Sequence, residues 1–143
     1  MVIRKNVSGR QDLIPPAEGA KGNDLKISGG PLYQPANVCK VLNAGSKAIN
    51  LWTQDCDYEV SIKLEWELSD VHELIELAMR SGIFKGSEWC HQSGNGPIAA
   101  CDAYRVSRQE WVKTANKHMS MSYFVKFAIS KAGMLLLVVS CHV

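Results

Sequence analysis

The pattern of apolar and polar positions is most regular at the C-terminal end of the chain. From Met134 to Cys141 eight residues carry no charge, and both alternating sets, Met134/Leu136/Val138 and Leu135/Leu137/Val139, are apolar. A strand with one wet face alternates, so this segment predicts a strand covered on both faces, inside a sheet. Met121 to Ile129 does alternate, with Tyr123, Val125, Phe127 and Ile129 on one side and Ser122 and Lys126 on the other. Ser130-Lys131-Ala132-Gly133 joins the two as a hairpin loop whose glycine is free to adopt positive φ.

Upstream, Asp57 to Leu68 places Tyr58, Val60, Ile62, Leu64, Trp66 and Leu68 at every second position and predicts another strand, with the acidic row Glu59, Glu65 and Glu67 outward. Ser69 or Asp70 then caps a helix carrying Val71, Leu74, Ile75, Ala78 and Met79 on one stripe and ending at Gly82. Residues 83–97, with three glycines and a proline, read as a long loop, and Ile98–Tyr104 as a short strand. Ser107-Arg108-Gln109-Glu110 has capping-box spacing, with Val106 and Trp111 placed for a hydrophobic staple. It predicts a second helix from about Arg108 to His118. Pro35–Gly45 suits a short helix or a strand, and Lys47–Thr53 a strand.

The elements add up to an α+β fold: an antiparallel sheet of four or five strands, its C-terminal strand internal, with two main helices packed on one face. Residues 1–30, with Pro15-Pro16 and several glycines, read as a flexible or loosely docked N-terminal arm. Val2-Ile3 or Leu13-Ile14 are the residues that would pin it. Residues 31–143 form a single domain.

Composition narrows the function classes. A hydrophobic content of 46% and a charged content of 21% are those of a globular domain, and a net charge of +2 does not by itself announce a nucleic-acid or membrane partner. No apolar run is long enough to cross a bilayer. Without a secretion signal, the five cysteines are expected as reduced thiols in a cytoplasmic protein. Cys90-His91, Cys101 and Cys141-His142 match no zinc spacing, so no metal is expected. Gly94-Asn95-Gly96 lacks the Lys-Ser/Thr of a phosphate loop, so no nucleotide cofactor is implied.

Charge is uneven along the chain. Between 101 and 131, Arg105, Arg108, Lys113, Lys117, Lys126 and Lys131 face only Asp102 and Glu110, a local net charge of +4. Such a cluster holds phosphate-bearing chains when it converges on one surface, and is otherwise a solvated face. The 83–97 segment adds Lys85, Glu88, His91 and Gln92 with Trp89 as a stacking surface, the mix of acid, base and cation that metal-independent RNA cleavage requires.

Phe84-Lys85, Asp102-Ala103-Tyr104-Arg105, Tyr123-Phe124-Val125-Lys126-Phe127-Ala128-Ile129 and the closing Leu137-Val138-Val139-Ser140 resemble the later part of the motility-regulator type of messenger-RNA-cleaving toxins. The resemblance covers roughly the last sixty residues. It implies that Lys85, after the first Phe, and Tyr123, starting the penultimate strand, belong to a cleavage site, with Phe124 at the tyrosine's place if the register is shifted by one. Glycine-rich sequence and the helix expected after Ser107 separate the pieces here.

The sequence thus points to a small cytosolic RNA-binding protein or a metal-independent, toxin-like endoribonuclease, with a homo-oligomer open to it. Lys85, Glu88, His91 and Tyr123 are its candidate catalytic residues, and Arg105, Arg108, Lys113, Lys117 and Lys126 its candidate nucleic-acid contacts. The alternative is a non-enzymatic inhibitor or adaptor that docks on a protein through the acidic strand face and the Trp89 loop.

Overall fold

The structure is a computed structural model and describes residues 4–143. It is α+β. One six-stranded sheet runs in the order β1-β3-β4-β5-β6-β2, where β1 is Lys26–Ile27, β2 Ile49–Leu51, β3 Ile83–His91, β4 Ile98–Val112, β5 Lys117–Ile129 and β6 Leu136–His142. All pairs are antiparallel except β2 with β6, which is parallel. Three α-helices accompany it: α1 (Pro35–Leu42), α2 (Gln54–Tyr58) and α3 (Leu68–Ser81). The sheet therefore exceeds the four or five strands expected, through the two short strands β1 and β2. The helices number three rather than two.

The C-terminal strand behaves as its unbroken apolar run requires. β6 lies between β5 and β2, with Leu136, Leu137, Val138 and Cys141 buried. Gly133 closes the preceding loop at φ 74°. Pro35 stands in the first turn of α1, and α3 buries Val71, Leu74, Ile75 and Ala78 as its stripe predicts.

Two expected elements are overturned. Residues 54–63 are helical: α2 is followed by one wider turn at Glu59–Lys63. The Thr53 hydroxyl caps α2 by accepting the Cys56 N–H at 3.0 Å. Strict alternation always contains the i, i+4 relation. Here that relation wins, burying Cys56 and Val60 while Tyr58 and Ile62 are exposed. The acidic row is dispersed as a result: Glu59 accepts the Cys141 N–H at 3.3 Å, and Glu67 forms the capping box of α3 with Asp70.

The helix expected at 108–118 is the tip of the longest hairpin. β4 and β5 pair in continuous register from Asp102↔Phe127 to Val112↔Lys117, and this long-range pairing overrides a four-residue capping signature. Asn116, at φ 51°, turns the chain. Residues 83–91 of the expected loop are likewise strand β3, with a bulge at Lys85 and Gly86 at φ 125°. Only 92–97 forms a tight hairpin connection.

The helices and the segment 30–34 cover one sheet face. Buried Asp102 anchors that segment. Its carboxylate accepts the Leu32 N–H (2.9 and 3.0 Å), the Tyr33 N–H (3.1 Å) and the Ser87 hydroxyl (2.6 Å). In the N-terminal segment, Val7 donates to the Ile98 carbonyl and Gly9 to the Ile129 carbonyl. Leu13 is half-buried and Ile14 is 88% exposed. Val2-Ile3 lies outside the described residues.

The sheet is strongly curled. The Gln92 side chain, just after β3, donates to the Trp52 carbonyl, just after β2, at 3.0 Å. Three strands separate β3 from β2, which in a flat sheet would put them about 19 Å apart.

Candidate functional site

Residues directly paired across a sheet share a face, and neighbours along a strand alternate. That rule divides the candidate residues cleanly. The face opposite the helices carries one row of Ile83, Arg105, Phe124 and His142, and a second of Gly86, Ala103, Lys126 and Ser140. Glu88 stands opposite Cys101 one step further along. Gly86, Cys101 and Ala103 are small, so the floor between the longer side chains is low.

Planar and cationic groups meet on this face. The Phe124 and His142 rings stack with centroids 5.2 Å apart and planes 27° from parallel. The Arg105 guanidinium lies 5.4 Å from the Phe124 centroid and the Lys126 ammonium 5.6 Å from it. The Arg105, Phe124 and His142 side chains are half-buried, and that of Lys126 is 15% exposed. Lys126 forms an ion pair with Glu88. Burial alone would lower the Lys126 pKa, but the Glu88 carboxylate and the nearby Cys90 and Cys101 thiols outweigh it, so the pKa is raised. The hydrogen bond from Cys101, helped by the Lys126 charge, lowers the Cys90 thiol. A cleft of about 810 Å³ begins at Ser140 beside this face and extends to His91 and Gln92 on one side and Asp55 and Glu59 on the other.

The residues named from the sequence are only partly gathered here. Arg105, Lys126 and Glu88 belong to the cluster. Arg108 belongs to the opposite, helix-covered face, where it bonds Asp70 at 2.8 Å and lies 3.4 Å from both Glu73 and Glu110. Its guanidinium also rests over the Trp66 ring, 4.5 Å from the centroid. Tyr123 shares that face. It is buried against Trp66, with ring centroids 4.9 Å apart, and donates to Glu110 at 3.0 Å. Burial, then the Glu110 carboxylate, pushes its hydroxyl up to about 12, far from any proton-transfer role near neutrality.

Lys113 and Lys117 are exposed at the β4–β5 hairpin tip, and Lys85 is exposed at the β3 bulge. His91 ends β3 on the face opposite Glu88, with the Arg4 guanidinium against its ring at 2.5 and 2.9 Å from the two nitrogens. Burial, then the Arg4 charge, lowers its pKa. The proposed catalytic quartet is therefore not assembled: Glu88 faces away from His91 and Tyr123. Trp89 is buried in β3 rather than presented by a loop, which removes the docking surface drawn for the adaptor alternative together with its acidic strand face.

From the sequence, Phe124 enters only as the shifted-register counterpart of Tyr123, and His142 only in a Cys/His set without zinc spacing. A signal existed in the alternation of β5: Phe124 falls on the polar parity with Ser122 and Lys126, which puts an aromatic ring beside a cation on that face. Among the described residues no group of three or more His, Cys, Asp or Glu side chains is placed to hold a metal ion. No described helix is long and apolar enough to cross a membrane.

No family model, no curated protein and no solved structure matches this chain.

Proposed function

We propose that the protein binds single-stranded RNA on the sheet face opposite the helices. The observation that carries this reading is the row Arg105–Phe124–His142 with Lys126 beside it. Unpaired bases are held by stacking on aromatic, imidazole and guanidinium planes, and their phosphates by cations at stacking distance from those planes. Arg105 and Lys126 supply the charge, Phe124 and His142 the stacking surfaces, and Ser140 a hydroxyl at the edge of the neighbouring cleft. The loose resemblance of the last sixty residues to messenger-RNA-cleaving toxins points to the same substrate class.

Two phosphate contacts to a single strand give an affinity that falls with salt at a log–log slope of about −1.4. Fluorescence anisotropy with a labelled single-stranded oligoribonucleotide tests this. Binding that weakens with that slope, and is lost in Arg105→Glu with Lys126→Glu, supports the reading. Absent or salt-insensitive binding refutes it.

Cleavage of the bound strand is a second reading, favoured by one observation: the His142 imidazole stands in a row with Arg105, with Lys126 in the row beside it. Cleavage products that form without added metal and vanish in His142→Ala would support it. Intact RNA after prolonged incubation with the wild-type protein would leave binding alone.

A further inference from the structure

Away from the RNA-binding face, two clefts meet at the loop between β5 and β6. One, of about 660 Å³, lies between α1 and residues 129–134; the other, of about 570 Å³, lies between residues 44–48 and the same loop. They share Ala44, Ser130, Lys131, Ala132 and Met134 and so form one continuous groove. Each volume is in the range of ligand-binding pockets, roughly 300–1,000 Å³.

The two halves differ in chemistry. The first is mixed, with the polar side chains of Gln34, Asn37, Lys40 and Lys131 in its wall. The second is almost wholly apolar, walled by Val7, Ala48, Leu135 and Met134, with Lys47 at its edge. No residue lining either half carries a carboxylate. Arg10, also in the first half, is occupied by Asp12 and the Leu32 carbonyl. Lys40, Lys47 and Lys131 are exposed and make no ion pair among the described residues. Met134, at the junction, is 71% exposed, a large apolar side chain left in water.

We propose that this groove binds a single-chain anionic amphiphile, a medium-chain carboxylate, with its head between Lys40 and Lys131 and its chain in the half walled by Val7, Ala48 and Leu135. Cations without competing acids select a negative head, and the adjoining apolar half selects a hydrocarbon chain.

The test is isothermal titration of the full chain with octanoate, decanoate and dodecanoate, each below its micelle concentration, and with decanol and decyltrimethylammonium as head-group controls. Saturable binding of the carboxylates is expected, tightening about threefold to fourfold per added methylene, with the cationic and neutral controls at least tenfold weaker. Lys40→Glu with Lys131→Glu weakens decanoate binding at least tenfold. Ala44→Trp, an exposed position shared by both halves, blocks the groove without touching the core, and circular dichroism verifies that each variant is folded. No saturable binding, equal binding of all three head groups, retention in both folded variants, or binding to anionic vesicles without binding to monomeric decanoate would each overturn the proposal.

Discussion

Phe124 and His142 stack across β5 and β6 with ring centroids 5.2 Å apart, at positions paired directly in the sheet register. Arg105 continues the row on β4. Three planar side chains on three adjacent strands are held by backbone pairing rather than by a loop, so their spacing is set before any ligand arrives. A preformed stacking row loses less entropy on binding than one that must assemble.

Glu88 competes with that role. Its carboxylate occupies the Lys126 ammonium, one of the two cations near the Phe124 ring. A phosphate must displace it. Glu88→Gln is therefore expected to tighten RNA binding by about 1 kcal/mol, the upper range for a partly exposed ion pair. Anisotropy titrations of the two proteins at one salt concentration check this; unchanged or weaker binding in the variant would mean that Lys126 does not contact phosphate.

Arg108 serves stability instead. It ties the start of α3 to β4 through Asp70 and Glu73 and covers Trp66, its side chain 12% exposed. Arg108→Ala leaves carboxylates behind without their cation and is expected to cost about 3 kcal/mol in urea denaturation. RNA affinity, measured where the variant is folded, should not change. A loss of RNA binding with normal stability would show that this arginine reaches the ligand.

Asp102 is the other structural anchor. Asp102→Ala strands the Leu32 and Tyr33 amides and the Ser87 hydroxyl without acceptors in a buried setting. A destabilisation of ~3 kcal/mol is expected, and Asp102→Asn, which keeps one acceptor oxygen, should lose less. Chemical denaturation of the pair reads this directly; equal losses in both would point to the lost carboxylate charge rather than to the number of acceptors kept.

His91 gives a pH prediction. Burial and the Arg4 guanidinium both disfavour its imidazolium, so its folded pKa lies below the ordinary ~6.5. As pH falls below that value the unfolded chain takes up the proton first. The His91 contribution is therefore complete above ~6.5 and is lost as pH drops through the folded pKa. His91→Asn should flatten the stability profile on the acid side. An NMR titration of the ring should show a midpoint below that of an unperturbed histidine; a midpoint at or above it would contradict the packing against Arg4.

Much of the architecture could be read from the chain because its strongest patterns reflect burial. The two-sided apolar run of β6, the alternation of β5 and the stripe of α3 each had one physical solution. The 54–68 region did not, since apolar residues at every second position also satisfy the i, i+4 spacing of a helix. The capping-box spacing at Ser107–Glu110 misled for a different reason: a local preference worth about 1 kcal/mol was set against eleven paired positions between β4 and β5. The site suffered most from that error. With 108–118 read as a helix, the parity that puts Arg105 beside Phe124, and Arg108 and Tyr123 on the far side, could not be seen.

RNA is proposed to meet the sheet face opposite the helices and not the helix-covered one. Titrating a single-stranded oligoribonucleotide into isotopically labelled protein and following the NMR shifts tests it most directly. The resonances of Arg105, Phe124, Lys126 and His142 should move together and saturate, while those of Arg108, Tyr123 and α3 stay in place, and the movement should disappear in Phe124→Ala. Saturating shifts on the α3 side or the hairpin tip, with Phe124 and His142 still, would contradict it.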